Sequence, residues 1–164
     1  MPVDFPVSWI DIHRASKTLI ANLKAQMQGQ TWDRVIAVTR GGMVPACLVA
    51  RDLDIRRIDT VSVKSYDHQS QTAAEILSMP HDIGRGAGCL IVDDLSDTGN
   101  TFKALRAMLP DATYVCLYVK PQGKPLADCY ATEVAQDCWI YFPWEDQDFP
   151  PHIMDAIGSH LQNN

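Results

Sequence analysis

The sequence predicts an α/β fold built on a doubly wound, mostly parallel sheet. Leu90-Ile91-Val92 is apolar without alternation, the mark of a strand covered on both faces. Runs of that kind alternate with stretches of helical periodicity, which implies parallel βαβ units. At 164 residues the chain fits one domain.

Taken in order, Ser8 can cap a helix from Trp9 to about Met27. Trp9, Ile12, Ala15, Leu19, Leu23 and Met27 recur there at steps of three and four, and Gly29 ends it. Arg34 to Thr39 reads as a buried strand. Val44 to Leu53 is the helix after it, with Pro45 in its first turn. Ile58 to Lys64, rich in Val and Thr, is a second strand. Leu90 to Asp93 is a third, Asn100 to Leu109 its helix, and Tyr114 to Val119 a fourth. The long stretch from His68 to Gly88 is expected to be a mobile lid. After Pro121 the chain turns irregular, with short strands near Tyr130 to Ala135 and Cys138 to Phe142 and a proline-rich tail.

Composition narrows the function classes. A formal net charge of −6 argues against general nucleic-acid binding. No apolar stretch approaches the roughly 20 residues of a membrane span. Met1 to Pro6 lacks the regions of a signal peptide, so a cytoplasmic location is expected. Cys47, Cys89, Cys116, Cys129 and Cys138 form no C-x-x-C pair and read as small, mostly buried thiols. The five histidines show no metal-ligand spacing.

Chemistry concentrates where the third strand ends. Asp93 and Asp94 stand at its carboxyl end, where open α/β sheets place ligands. Leu95, Ser96, Asp97, Thr98, Gly99, Asn100 and Thr101 then offer backbone N–H groups and hydroxyls at the start of a helix, an anion site. Acids for a sugar diol or a metal therefore lie beside a phosphate cradle, which reads as a phosphoribosyl site. Thr39-Arg40-Gly41-Gly42 follows the first strand. There Arg40 offers a charged donor and the glycines let the backbone approach an anion.

The segment from Cys89 to Phe102 resembles the diphosphate-sugar (PRPP) signature of type I phosphoribosyltransferases. Arg40-Gly41-Gly42, Ser65-Tyr66, Lys120-Pro121 and Trp139-Ile140 fall in the order and approximate spacing of the xanthine-guanine members of that family. The resemblance implies a core near residues 30–120, a lid near 66–88, and a purine-binding hood near 121–150 with the N-terminal helix. It implies transfer of the phosphoribosyl group of PRPP to N9 of a 6-oxopurine. In that picture Asp93 and Asp94 hold the ribose and a hydrated Mg²⁺, with Asp94 on the metal. Residues 95–101 hold phosphate, and Arg40 and Gly41 the pyrophosphate, with a non-proline cis bond expected at Arg40–Gly41. Asp97 accepts the purine N7 proton. Lys120 contacts the exocyclic oxygen, Trp139 stacks on the base and the Ile140 backbone reads its edge. Ser65 and Tyr66 begin the lid. A homotetramer and weak peripheral contact with the inner membrane are further implications, although no amphipathic basic helix supports the second.

The chain departs from the family at two places. Thr72 stands where relatives carry an arginine that reaches PRPP, so either Tyr66, backbone donors and Arg85 close the lid or PRPP binds more weakly. Tyr141 replaces an acid after Trp139-Ile140, leaving open the choice among guanine, xanthine and hypoxanthine. A competing reading is a PRPP-binding regulator of transcription on the same fold. It needs an added DNA-binding segment or a basic face, and this acidic sequence offers neither.

Overall fold

The computed structural model describes residues 2–64 and 74–162. The chain runs β1 (Val3–Pro6), α1 (Trp9–Gln26), β2 (Arg34–Thr39), α2 (Met43–Asp52), β3 (Arg57–Lys64), β4 (Glu75–Ser78), β5 (Cys89–Ser96), α3 (Asn100–Met108), β6 (Thr113–Val119), β7 (Cys129–Glu133), β8 (Cys138–Tyr141) and α4 (Pro151–Gln162). Short 3-10 helices lie at Lys124–Leu126 and Pro143–Asp148.

Local signals fix α1. The Asp11 N–H donates to Ser8 Oγ at 3.1 Å, and the Ser8 N–H donates back to Asp11 Oδ2 at 2.9 Å, a complete capping box. Ile12, Leu19 and Leu23 bury one stripe of the helix, and Gly29 takes a left-handed φ of 81° beyond its end.

The main sheet has the order β4–β3–β2–β5–β6–β7, with only β4 antiparallel. Both faces are dry, which explains the unalternating strands. Val35, Ala37, Leu90, Val92, Val115 and Leu117 pack with α1 and α2. Their neighbours Ile36, Val38, Cys89, Ile91, Tyr114 and Cys116 pack under Phe102 and Leu105 of α3 and Leu109 just past its end. Tyr114 keeps its hydroxyl satisfied by donating to the Leu109 carbonyl at 2.9 Å. Three thiols are buried as expected, Cys89, Cys116 and Cys129, whereas Cys47 is exposed.

The strand order positions the site. From β2 the chain crosses through α2 to β3 on one side, and from β5 through α3 to β6 on the other. The topological switch point is thus the gap between β2 and β5, whose carboxyl ends lead into Arg40 and Asp97.

Several elements differ from expectation. Ser65, Tyr66 and Thr72 lie outside the described residues. Part of the stretch expected as one lid forms β4, because the outer edge of β3 offers unpaired backbone groups and Ile76 and Ile83 have the α3 layer to pack against. Gly86, at φ 89°, sits against Ala112 and Leu109, where a side chain has no room. The proline-rich tail contains α4. The N-terminal partner of the smaller sheet is β1, parallel to β8 with Asp4 opposite Trp139, whereas α1 packs on β6, β7 and α2.

Candidate active site

Strand β5 continues three residues past the expected end, so Asp93 and Asp94 belong to the strand and are held by its ladder to β6. Asp93 is only 8% exposed. Burial, and then the adjacent charge of Asp94, push its carboxyl well above the usual carboxylate range. The Asp94 carboxyl is pushed up to about 6, again chiefly by burial; nearby Glu145, on the Pro143–Asp148 helix, adds to it. Asp93 Oδ1 accepts the Asp94 N–H at 2.9 Å.

Across the switch point, the two glycines after β2 exist for close approach. A Cβ on Gly41 would run into the Asp94 carboxylate, and one on Gly42 into the Val92 carbonyl. The Gly42 N–H donates to the Val38 carbonyl at 2.8 Å, closing the turn tightly. The non-proline cis bond lies at Thr39–Arg40, one residue earlier than expected. The glycines are needed for contact with β5, and the cis bond falls on the strand side of them. Arg40 itself is exposed at the mouth of the crevice.

The loop after β5 is pinned from beneath. The Ser96 carbonyl accepts the Lys120 N–H at 3.0 Å, and Ser96 Oγ donates to the Gly123 carbonyl at 3.2 Å. Gly99 occupies the N-cap of α3 at φ 83°, where a Cβ would meet Leu126 Cδ1 at 2.5 Å. Because glycine has no side chain, nothing from the cap closes the helix end; the Asn100 N–H makes only a long 3.4 Å contact with Thr98 Oγ1. The first turn of α3, from Asn100 and Thr101, keeps free N–H groups for an anion.

Asp97 leaves this loop sideways, toward the end of β6. Its Oδ2 receives the Lys120 ammonium at 2.9 Å, and its Oδ1 receives Gln136 Nε2 at 2.9 Å. Lys120 is 5% exposed, so its charge relies on this pairing. A buried cation and a carboxylate side by side offer one donor and one acceptor to the same ligand edge.

Comparison with known proteins matches this geometry. The model of the family described as "Phosphoribosyl transferase domain" fits residues 8–147. Over 143 residues the chain is 51% identical to a xanthine-guanine phosphoribosyltransferase of Chromohalobacter salexigens, covering 86% of this chain and 83% of that protein. It is 47% identical over 144 residues to the enzyme of the same name from Cereibacter sphaeroides, covering 86% of each. The chain belongs to the xanthine-guanine phosphoribosyltransferase family. The crystal structure of a purine phosphoribosyltransferase from Pyrococcus horikoshii superposes with a TM-score of 0.71 at 28% identity, over 90% of this chain and 95% of that one.

In this phosphoribosyltransferase the remaining expected residues fall unequally around the crevice. Trp139 is 50% exposed on the outer face of β8 and is no core residue, while Ile140 is buried against the α1 layer. Tyr141 donates its hydroxyl to Asp4 Oδ1 at 3.2 Å, so an acid from β1 stands beside the position where the family carries its own. Arg85 cannot serve the lid. It precedes β5, at the amino ends of the strands, and its Nε donates to Asp111 at 2.8 Å. Gln136 and Glu145 were not marked by any motif in the sequence, because their partners lie far away along the chain.

Proposed function

We propose that this phosphoribosyltransferase moves the 5-phosphoribosyl group of PRPP to N9 of a 6-oxopurine, giving the nucleoside monophosphate and pyrophosphate. The observation that carries the reading is the Lys120–Asp97 pair. A 6-oxopurine presents an acceptor at O6 and, in its N7–H tautomer, a donor at N7, which complement an ammonium and a carboxylate respectively. Adenine presents an amine at the same place and would set donor against donor at Lys120.

The chemistry follows from placement. The free N–H groups of residues 98–101 bind the 5′-phosphate, and Arg40 with the Gly41 backbone binds the pyrophosphate. The C1′–O bond breaks with its electron pair leaving on pyrophosphate, and the N9 lone pair forms the new C1′–N9 bond. Asp97 accepts the N7 proton as that charge develops. Positive charge on the ribose ring is met by the carboxylates of Asp93 and Asp94. Trp139 covers the base and the Ile140 backbone reads its edge.

Asp93 and Asp94 also fit a hard divalent cation. They are oxygen donors, desolvated, and among the described residues no cationic side chain pairs with either. In this reading Asp94, together with Asp93, would hold a Mg²⁺, and the ion would supply charge neutralisation to the pyrophosphate leaving group. The enzyme works as a cytoplasmic homotetramer, which sedimentation of the purified protein checks. The reaction itself is tested with PRPP, Mg²⁺ and guanine, xanthine, hypoxanthine or adenine separately. Nucleotide is expected from 6-oxopurines and not from adenine. Adenine turnover equal to that of guanine would sink the assignment.

A further inference from the structure

The structure assigns Gln136 a positioning role: it orients the Asp97 carboxylate for proton transfer. This rests on the proposed reaction and adds a residue to it. Asp97 has two carboxylate oxygens and two protein partners, Lys120 on Oδ2 and Gln136 on Oδ1, each at 2.9 Å. An incoming base draws on both Lys120 and Asp97. Gln136 is the partner the base does not need, and so the one able to fix Asp97 throughout.

The direction of the Gln136 amide is set by its other end. Its Oε1 accepts the Gln122 N–H at 3.0 Å, which forces Nε2 toward Asp97. A reversed amide would set its NH2 against the Gln122 N–H at one end and its oxygen against Asp97 Oδ1 at the other. Gln122 is itself fastened. It lies in the turn where the Gly123 and Lys124 N–H groups both donate to the Lys120 carbonyl, at 3.0 and 2.9 Å. The turn carrying Gln136 is fastened too, by the Val134 N–H on the Val119 carbonyl at 2.9 Å and the Cys138 N–H on the Ala135 carbonyl at 3.1 Å. Gln136 thus ties three loops together: the one after β5, the one after β6 and the one between β7 and β8. A donor on Oδ1 fixes the plane of the carboxylate and leaves a defined lone pair for the purine N7–H.

Two variants test the role. Gln136→Leu removes the donor at similar volume. Gln136→Glu retains an acceptor for the Gln122 N–H but sets a like charge against Asp97. We expect kcat to fall about 10- to 100-fold for Gln136→Leu and further for Gln136→Glu at pH 8, with the KM for PRPP roughly unchanged. As pH falls from 8 to 6, Gln136→Glu should regain activity relative to wild type, because the introduced carboxyl can donate to Asp97 once protonated. A Gln136→Leu enzyme with wild-type kcat overturns the role. So does a loss of kcat that is matched by the KM for PRPP and by the melting temperature, since that pattern marks a structural residue; if Gln136→Leu does not fold, the pH response of Gln136→Glu decides alone. Wild-type enzyme that turns over none of the four bases overturns the reaction and this role together, whereas an active wild type with indifferent variants overturns the role alone.

Discussion

The two ends of the main sheet handle charge in opposite ways. At the amino ends of the strands, Asp59, Asp82, Asp111 and Asp128 each meet a guanidinium. Arg34, 3% exposed, lies between Asp82, at 2.9 and 3.1 Å, and Asp59, at 3.3 Å. Arg85 pairs with Asp111, and Arg106 with Asp128, each at 2.8 Å. At the carboxyl ends, Asp93 and Asp94 press against each other with their pKa values raised, and among the described residues no cation answers them. The first end is electrostatically finished and contributes to stability. The second is left incomplete, and a ligand bearing a metal ion, sugar hydroxyls and an anion can complete it. Removing a charge at the carboxyl end should therefore change chemistry more than folding, and removing one at the amino end the reverse.

The largest expected effect is at Asp97. Asp97→Asn keeps the shape and loses the proton acceptor, so kcat should fall by about 10²–10⁴-fold while PRPP affinity changes little. Equal losses in kcat and PRPP affinity would remove Asp97 from the proton-transfer role. Next comes Gly42→Ala. Its methyl group would meet the Val92 and Val38 carbonyls and the Asp93 Cα, all backbone atoms that cannot turn aside. A cost of about 2–3 kcal/mol is expected in a urea melt, together with weaker PRPP binding. At Gly41 the obstacle is the Asp94 side chain, which can swing, so Gly41→Ala should raise the KM for PRPP at a smaller cost in stability.

The contrast also explains what the sequence could reveal. The carboxyl end was legible because its candidate groups are local: Asp93 to Thr101 place three acids, a turn and a helix start within nine consecutive residues. Buried strands such as Arg34–Thr39 were legible for a related reason, since a two-sided apolar run has few other meanings. What escaped depends on distant partners. β1 has four residues and becomes a strand only because β8 offers it an edge; β4 likewise depends on β3. Gln136 gains its meaning from Asp97, 39 residues away, and glutamine in a turn carries no motif. Arg85 misled in the opposite sense. As the only basic residue between His68 and Gly88 it looked available to the lid, but β4 runs antiparallel to β3 and returns the chain to the amino ends of the strands, beside Asp111.

The amino end supplies the control. Asp82→Ala removes two hydrogen bonds from Arg34 but leaves Asp59 nearby, and Asp82 is itself largely exposed. Stability should drop by about 1.5 kcal/mol in a denaturant melt, with kcat per folded molecule unchanged. A fall in kcat would show that the two ends are coupled through β2.

The smallest effect separates the ends by pH. A buried acid whose folded pKa is raised binds its proton more tightly when folded, so its ionisation destabilises the native state. For Asp94 the penalty begins near the unfolded value of 3.8 and grows until pH passes the folded value of about 6. The protein free of divalent cations should accordingly become more stable by about 1 kcal/mol as pH drops from 7 to 5. Asp93, whose carboxyl is also raised, adds in the same direction. Asp94→Asn should flatten this slope, and so should Mg²⁺ with PRPP at saturating concentration, because both remove the unanswered charge. Thermal melts across that range decide the point. A stability that instead falls steadily from pH 7 to 5, with Asp94→Asn no different from wild type, would mean that Asp94 is already neutralised in the free protein and that the carboxyl end is as complete as the amino end.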